Sequence, residues 1–385
     1  MKFNFTIIKI KNIIKILVFC TVLTFLFTFS KYNTESIKDT ILLFIYCVFP
    51  SLFPFIFFTE FVSNTKILDY ISQNLGKVIV KIFQLSKNAT SSIIIGFLCG
   101  FPSGAKHTIN LYNQGKLSYN ETKLLLSFVN NFNPIFIITT VGICMFNNIY
   151  VGILILISHY LSSILIGFIN CKINHKTIIH EKSNNLNSFI QKTNLDYKKI
   201  SIFFNVKQSI TNAFIILTNI LGFMLLFNLI SYDLRIVLEK IKIDKSIIDV
   251  VTSFFEVTKG TSNIISLTNF SFEFKFIFVS ILLGFSGICI MFQIYSIIYE
   301  DNYSFINLFI SKIIHGMLSG LISFIMLKFL DITNLTLQTS NLVFNNVDTY
   351  NFMEKIPSIG IYYLILSIIF LFFIIVQNTK KIVKK

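Results

Sequence analysis

No tryptophan occurs in the 385 residues, and of the 33 basic residues only Arg235 is an arginine. Charged residues make up 13% of the chain, about half the share of an average soluble domain. So little charge cannot clothe a chain of this length in a water-facing surface, which excludes a cytosolic enzyme, a disordered scaffold and a secreted disulfide module. The six cysteines (Cys20, Cys47, Cys99, Cys144, Cys171 and Cys289) form no C-x-x-C pair. They read as free core thiols, without a disulfide framework or zinc site. The five histidines lack metal-ligand spacing. Enzyme signatures are missing too: His180-Glu181 runs into Lys, Ser and Asn, and neither a P-loop nor a G-x-S-x-G elbow occurs. No catalytic residue, metal or cofactor is expected.

What the chain has is apolar length. Hydrophobic residues make up 54%, with 45 Phe and 15 Tyr, and the mean hydropathy is +0.73. The expected fold class is an all-α polytopic membrane protein. Its interfacial belts must be built from Tyr and Phe. The net charge of +15 then marks cytoplasmic loops and attraction of anions rather than nucleic-acid binding.

A span needs about 20 mostly apolar residues. Eight crossings are expected, at 13–30 (an uncleaved anchor), 40–62, 122–146, 150–169, 211–232, 272–292, 305–330 and 359–376. Residues 76–90 read as an amphipathic helix at the membrane surface. Residues 91–105 are apolar but too short to cross and end in Gly100, Pro102 and Gly104, a re-entrant pattern. The basic N-terminus, the 63–90 segment, the 171–207 loop and the tail place both termini on the cytoplasmic side.

The string S-I-I-I-G-F-L-C-G at 92–100 is like S-I-L-L-G-F-S-G at 280–287. Broken helices in corresponding positions are the mark of secondary transporters built from repeats. The expected organisation is an anchor over 1–39, a first repeat over 40–170, a basic loop over 171–207, a second repeat over 208–330 and a terminal part over 331–385.

Polar positions inside apolar flanks are the candidates for substrate contact. Gly100, Pro102, Ser103 and Gly104 form a turn whose backbone amides suit an anion, with Lys106 adding charge. A tight turn between packed helices is the plainer alternative. Asn130, Asn131 and Asn133 stand beside Pro134, which has no N–H and so frees a carbonyl one turn earlier. Glu256, three residues before Lys259, is either half of a surface ion pair or a coupling site. Gln293 follows the second broken segment as a lining residue. His159 reads as a structural hydrogen-bonding group or a cavity residue, and Glu60 as a group at a span end.

Five motifs, taken together, are similar to one family. They are F-P-S-L-F-P-F (49–55), G-F-L-C-G-F-P-S-G-A-K (96–106), N-N-F-N-P-I-F-I (130–137), F-E-V-T-K-G (255–260) and G-F-S-G-I-C-I-M-F-Q (284–293). They resemble the YlbJ-type sporulation integral membrane proteins of endospore-forming bacteria, which carry the nucleoside-recognition Gate domain. Met291 stands where the family more often has a polar residue. The resemblance implies a fold like that of concentrative nucleoside transporters. It implies movement of dipicolinic acid across the outer forespore membrane and a part in forming the spore cortex. The partners it implies are a small anionic solute, the lipid bilayer, and a second copy or other sporulation membrane proteins. Two other functions stay open: a scaffold for cortex assembly without transport, and a nucleoside-type transporter or receptor.

Overall fold

A computed structural model of the chain describes residues 30–65, 67–173, 201–301 and 303–329, and every regular element in them is helical. The expected anchor, the last span, the basic tail and most of the 171–207 loop lie outside the described residues. Helix α1 (Ser30–Leu43) runs through a π turn at Phe44–Val48 into α2 (Phe49–Ser63). Then come α3 (Ile67–Phe83), α4 (Ala89–Leu98), α5 (Ser103–Asn113), α6 (Tyr119–Leu126) and α7 (Phe136–Met145), the last wound at the wider π pitch. A long helix, α8 (Ile149–Ile173), closes the first half. The second half is α9 (Ile202–Lys240), α10 (Lys245–Ser253), α11 (Val257–Ser266), α12 (Phe272–Phe285), α13 (Gly287–Ile298) and α14 (Phe305–Phe329).

The chain is an all-α polytopic membrane protein. Five stretches among the described residues are long and apolar enough to cross: 33–63, 149–173, 202–240, 272–301 and 305–329. Large apolar side chains such as Phe58, Ile157, Leu161, Phe214, Met317 and Leu321 are exposed along them, as lipid-facing surfaces require. The span expected at 122–146 is three pieces: α6, an extended stretch and α7. Pro134 has no amide to continue a helix, and the Asn residues before it satisfy the loose ends. The span expected at 211–232 is longer at both ends. At 39 residues α9 reaches roughly 58 Å, about twice the hydrocarbon thickness. Its ends therefore carry Lys207, Arg235, Glu239 and Lys240 out of the apolar layer, taking up sequence that reads as loop.

The main apolar cluster of the interior is drawn from both halves. It includes Ile56, Phe101, Phe132, Ile155, Leu217, Val257, Phe276 and Met291. Helix α12 packs along α14, α14 along α8, and α9 along α2. The α12–α14 contact is a small-residue crossing. A Cβ on Gly284 would stand 2.7 Å from the Gly316 Cα and 2.8 Å from the His315 carbonyl oxygen. Only glycine lets the two backbones meet there.

Candidate functional site

Four helix breaks form two crossings. The chain between α4 and α5 passes directly over the stretch between α6 and α7. Phe101 N–H donates to the Asn131 carbonyl at 2.8 Å. Gly100 lies at φ +75°, and a Cβ there would stand 2.7 Å from Asn133 N. In the second half the break between α12 and α13, with Ser286 at φ 71° and Gly287 at φ 70°, crosses the break between α10 and α11. Ile288 and Cys289 N–H donate to the Phe254 and Phe255 carbonyls at 2.8 and 2.9 Å.

These contacts decide what the turn amides do. Phe101 N–H is taken by Asn131, Gly104 N–H by Gly100 and Lys106 N–H by Pro102. None of the three is open to an anion. Ser103 Oγ, by contrast, is buried without a partner. The charge of Lys106 is occupied as well: its Nζ lies 2.7 Å from Glu60 Oε1, and Asn212 Nδ2 donates to Glu60 Oε2 at 2.9 Å. Glu60 thus ties α5 and α9 to α2 instead of reaching for solvent at a span end.

The three asparagines have two jobs. Asn133 donates from Nδ2 to the Ser51 carbonyl at 3.0 Å and accepts Phe136 N–H on Oδ1 at 2.6 Å. It caps α7 and pins the break to α2. Asn130 and Asn131 donate to the Leu126 and Phe128 carbonyls at the end of α6. Their Oδ1 atoms remain buried without a partner, as does Gln293 Oε1. Glu256 does not pair with the Lys259 ammonium. Its two oxygens accept Thr258 and Lys259 N–H at 3.0 and 2.7 Å, capping α11 at the break. The Lys259 head instead lies 3.5 Å from Asp39 and 5.8 Å from the centre of the Tyr232 ring.

The most unusual polar group was not among the site candidates. Lys312, two turns into α14, is 1% exposed. Its Nζ donates to the Asn130 carbonyl, which Pro134 leaves without a helical partner, and points at His315 Nδ1 at 3.5 Å. The His315 Nε2–H donates to the His159 carbonyl at 2.9 Å. The His159 ring accepts Phe132 N–H at 3.3 Å and lies 4.5 Å, centre to centre, from the His315 ring. Among the described residues no carboxylate lies within ion-pair distance of Lys312. A pattern in the sequence carries this cluster. His159 and His315 are 156 residues apart, each is the eleventh residue of a 25-residue helix, and each begins a stripe of small residues four apart. The stripes are His159, Ser163, Gly167 and His315, Ser319, Ser323. Lys312 also brings the breaks together. It touches the first crossing at Asn130, and Gly316, one turn on, touches the second at Gly284.

Beside the second crossing a polar cleft of about 340 Å³ opens between α9, α10 and the end of α11, lined by Arg235, Lys245, Asp249 and Asn269 among others. It shares Arg235 and Asn263 with a smaller recess that reaches Glu256, Lys259 and Asn228. Arg235 is ion-paired with Asp249, while Asn228 Nδ2 is buried without a partner.

Residues 45–149 match the Gate family, described as nucleoside recognition. The chain is 27% identical over 303 residues to the sporulation integral membrane protein YlbJ of Bacillus subtilis (strain 168), covering 73% of each chain. No solved structure matches.

Proposed function

We propose, from the premise that this is a YlbJ-type sporulation integral membrane protein, that it is a secondary transporter or facilitator of a small anionic solute. Dipicolinate is the solute and the outer forespore membrane the setting, with spore cortex formation dependent on the flux. The solute binds where the two crossings approach α14. Segments 40–170 and 208–330 act as the two repeats, and rocking of one against the other opens the site to alternate sides. Element order supports the repeat. A shift of 156 residues carries the α4–α5 break onto the α10–α11 break, the α6–α7 break onto the α12–α13 break, and α8 onto α14.

The observation that carries the reading is the ammonium of Lys312, buried within α14 with no carboxylate at ion-pair distance among the described residues. A charged side chain in a membrane bundle marks a solute or ion path by default, and a lone cation calls for an anion. Dipicolinate, a small planar dianion, suits that requirement.

One observation favours a different solute. The open acceptors Asn130 Oδ1, Asn131 Oδ1 and Gln293 Oε1 suit a ligand with N–H or O–H donors, such as a nucleoside. Competition of nucleosides against dipicolinate separates the two. A scaffold without transport is separated from both in sporulating cells. Transport predicts that Gly104→Val or Asn131→Ala abolishes dipicolinate accumulation, while a deletion inside the 171–207 loop leaves it above about half of wild type. Loss on deleting the loop, with both point variants normal, contradicts it. The expected effect of Gly104→Val rests on contact: its Cβ would stand 2.7 Å from the Val129 carbonyl oxygen at the crossing.

A further inference from the structure

Lys312 sits among groups whose protons can be located. His315 gives its Nε2–H to the His159 carbonyl, so its Nδ1 faces Lys312 as an acceptor. His159 accepts on Nε2 from Phe132, so its own proton lies on Nδ1, which is buried without a partner. Both tautomers are thus fixed by main-chain groups. An ammonium has three N–H groups. Two of them meet the Asn130 carbonyl and His315 Nδ1, and the third has no partner among the described residues.

Among the described residues the surroundings offer Lys312 no other charge. From α8 the titratable neighbour is His159, and on α14 itself it is His315. Helix α12 carries Glu273 and Lys275 in its first turn, away from the Gly284–Gly316 contact, and Lys275 is bound to the Ile265 carbonyl. Helix α13 carries Cys289, which accepts from Gln293 Nε2. The break between α6 and α7 supplies only amides and carbonyls near Lys312.

We propose that Lys312 is the seat of a proton that accompanies the anion, so that the two cross together. This inference rests on the transport reading above. The chemistry is one reversible step. The ε-amine takes a proton from water on the open side, becomes an ammonium hydrogen-bonded to the Asn130 carbonyl, and returns that proton when the site faces the other side. A membrane bundle holds an unpaired ammonium only at a cost. A bound anion offsets that cost, and the proton in turn offsets the cost of burying the anion. Linkage makes the coupling reciprocal: anion raises proton affinity by the same factor as proton raises anion affinity. Dipicolinate therefore binds more tightly as pH falls, with proton uptake on binding. His315 Nδ1, 3.5 Å from the amine, is the adjoining acceptor through which the proton can step.

The test is calorimetric titration of the purified full chain with dipicolinate in buffers of different ionisation enthalpy, which counts protons taken up per anion. Wild type is expected to take up about one proton and to lose affinity as pH rises. Lys312→Arg keeps the charge but cannot titrate. It is expected to bind with a proton count near zero and a flat pH profile. Lys312→Met, which preserves length and suits an apolar bundle, is expected to weaken binding by at least about tenfold. Should Lys312→Arg not fold, Lys312→Gln takes its place, with the same near-zero proton count expected in whatever binding remains. A purely structural lysine would leave the proton count of the variants at the wild-type value, and that result overturns the proposal. Wild-type binding with no proton uptake also overturns it while leaving transport intact. A wild type that binds no dipicolinate overturns the solute assignment and this proposal together.

Discussion

Gly284→Leu is expected to abolish the folded, monodisperse protein in detergent, whereas Gly222→Leu leaves it near wild type. Both glycines lie in apolar helices, and helix propensity favours leucine at either place. Contact separates them. At Gly284 a Cβ stands 2.7 Å from one backbone atom and 2.8 Å from another on α14, whereas at Gly222 nothing lies within 4 Å. Backbone cannot move aside as a side-chain tip can, so α12 and α14 must part. Overpacking of this kind costs about 1–3 kcal/mol or more where the obstacle is soft, and here it is rigid. Separation also pulls His315 off the His159 carbonyl and Lys312 off Asn130. Size-exclusion after stepwise heating measures it. A Gly284→Leu protein that survives to within about 2 °C of wild type contradicts the close crossing.

Asn133→Ala is expected to destabilise the protein by about 1–3 kcal/mol, since it strands a buried main-chain amide. It is the Phe136 amide, and the same change removes the donor that reaches the Ser51 carbonyl on α2. Asn133→Asp keeps the oxygen for Phe136 and loses the donor for Ser51, so it should recover part of the loss. Denaturation in detergent of the three proteins orders them wild type, Asp, Ala. An alanine variant as stable as wild type would show that the break is held from elsewhere.

Where the sequence spoke clearly, it did so through residues that cannot continue a helix. Gly100, Pro102 and Pro134 sit in apolar runs, and each marks a real break because the missing N–H or Cβ is a local property. The second-half breaks were less visible. Gly284 and Gly287 pointed to one of them, but the break at 254–256 is made by ordinary residues and a Glu256 cap. A cap and an i, i+3 ion pair look alike in sequence. The charge of Lys106 likewise looked available because its partner, Glu60, is 46 positions away. The strings of like letters at 92–100 and 280–287 begin in α4 and α12. The offset of 156 shows in the His-Ser stripes of α8 and α14, helices that meet at the His315–His159 and Ser158–Ser319 contacts. Lys312 was visible as a charge in a span. That no carboxylate among the described residues pairs with it depends on three dimensions, and that is what makes it informative.

Solute movement by this chain is tested most directly by flux. The full chain is reconstituted in liposomes loaded with unlabelled dipicolinate, and entry of labelled dipicolinate is followed for wild type and Asn131→Ala beside empty vesicles. Wild-type entry at least about tenfold above empty vesicles, lost in Asn131→Ala, is the predicted result. Wild-type entry no faster than in empty vesicles contradicts transport by this chain. Equal, rapid entry in both proteins contradicts the site at the Asn130–Asn133 break.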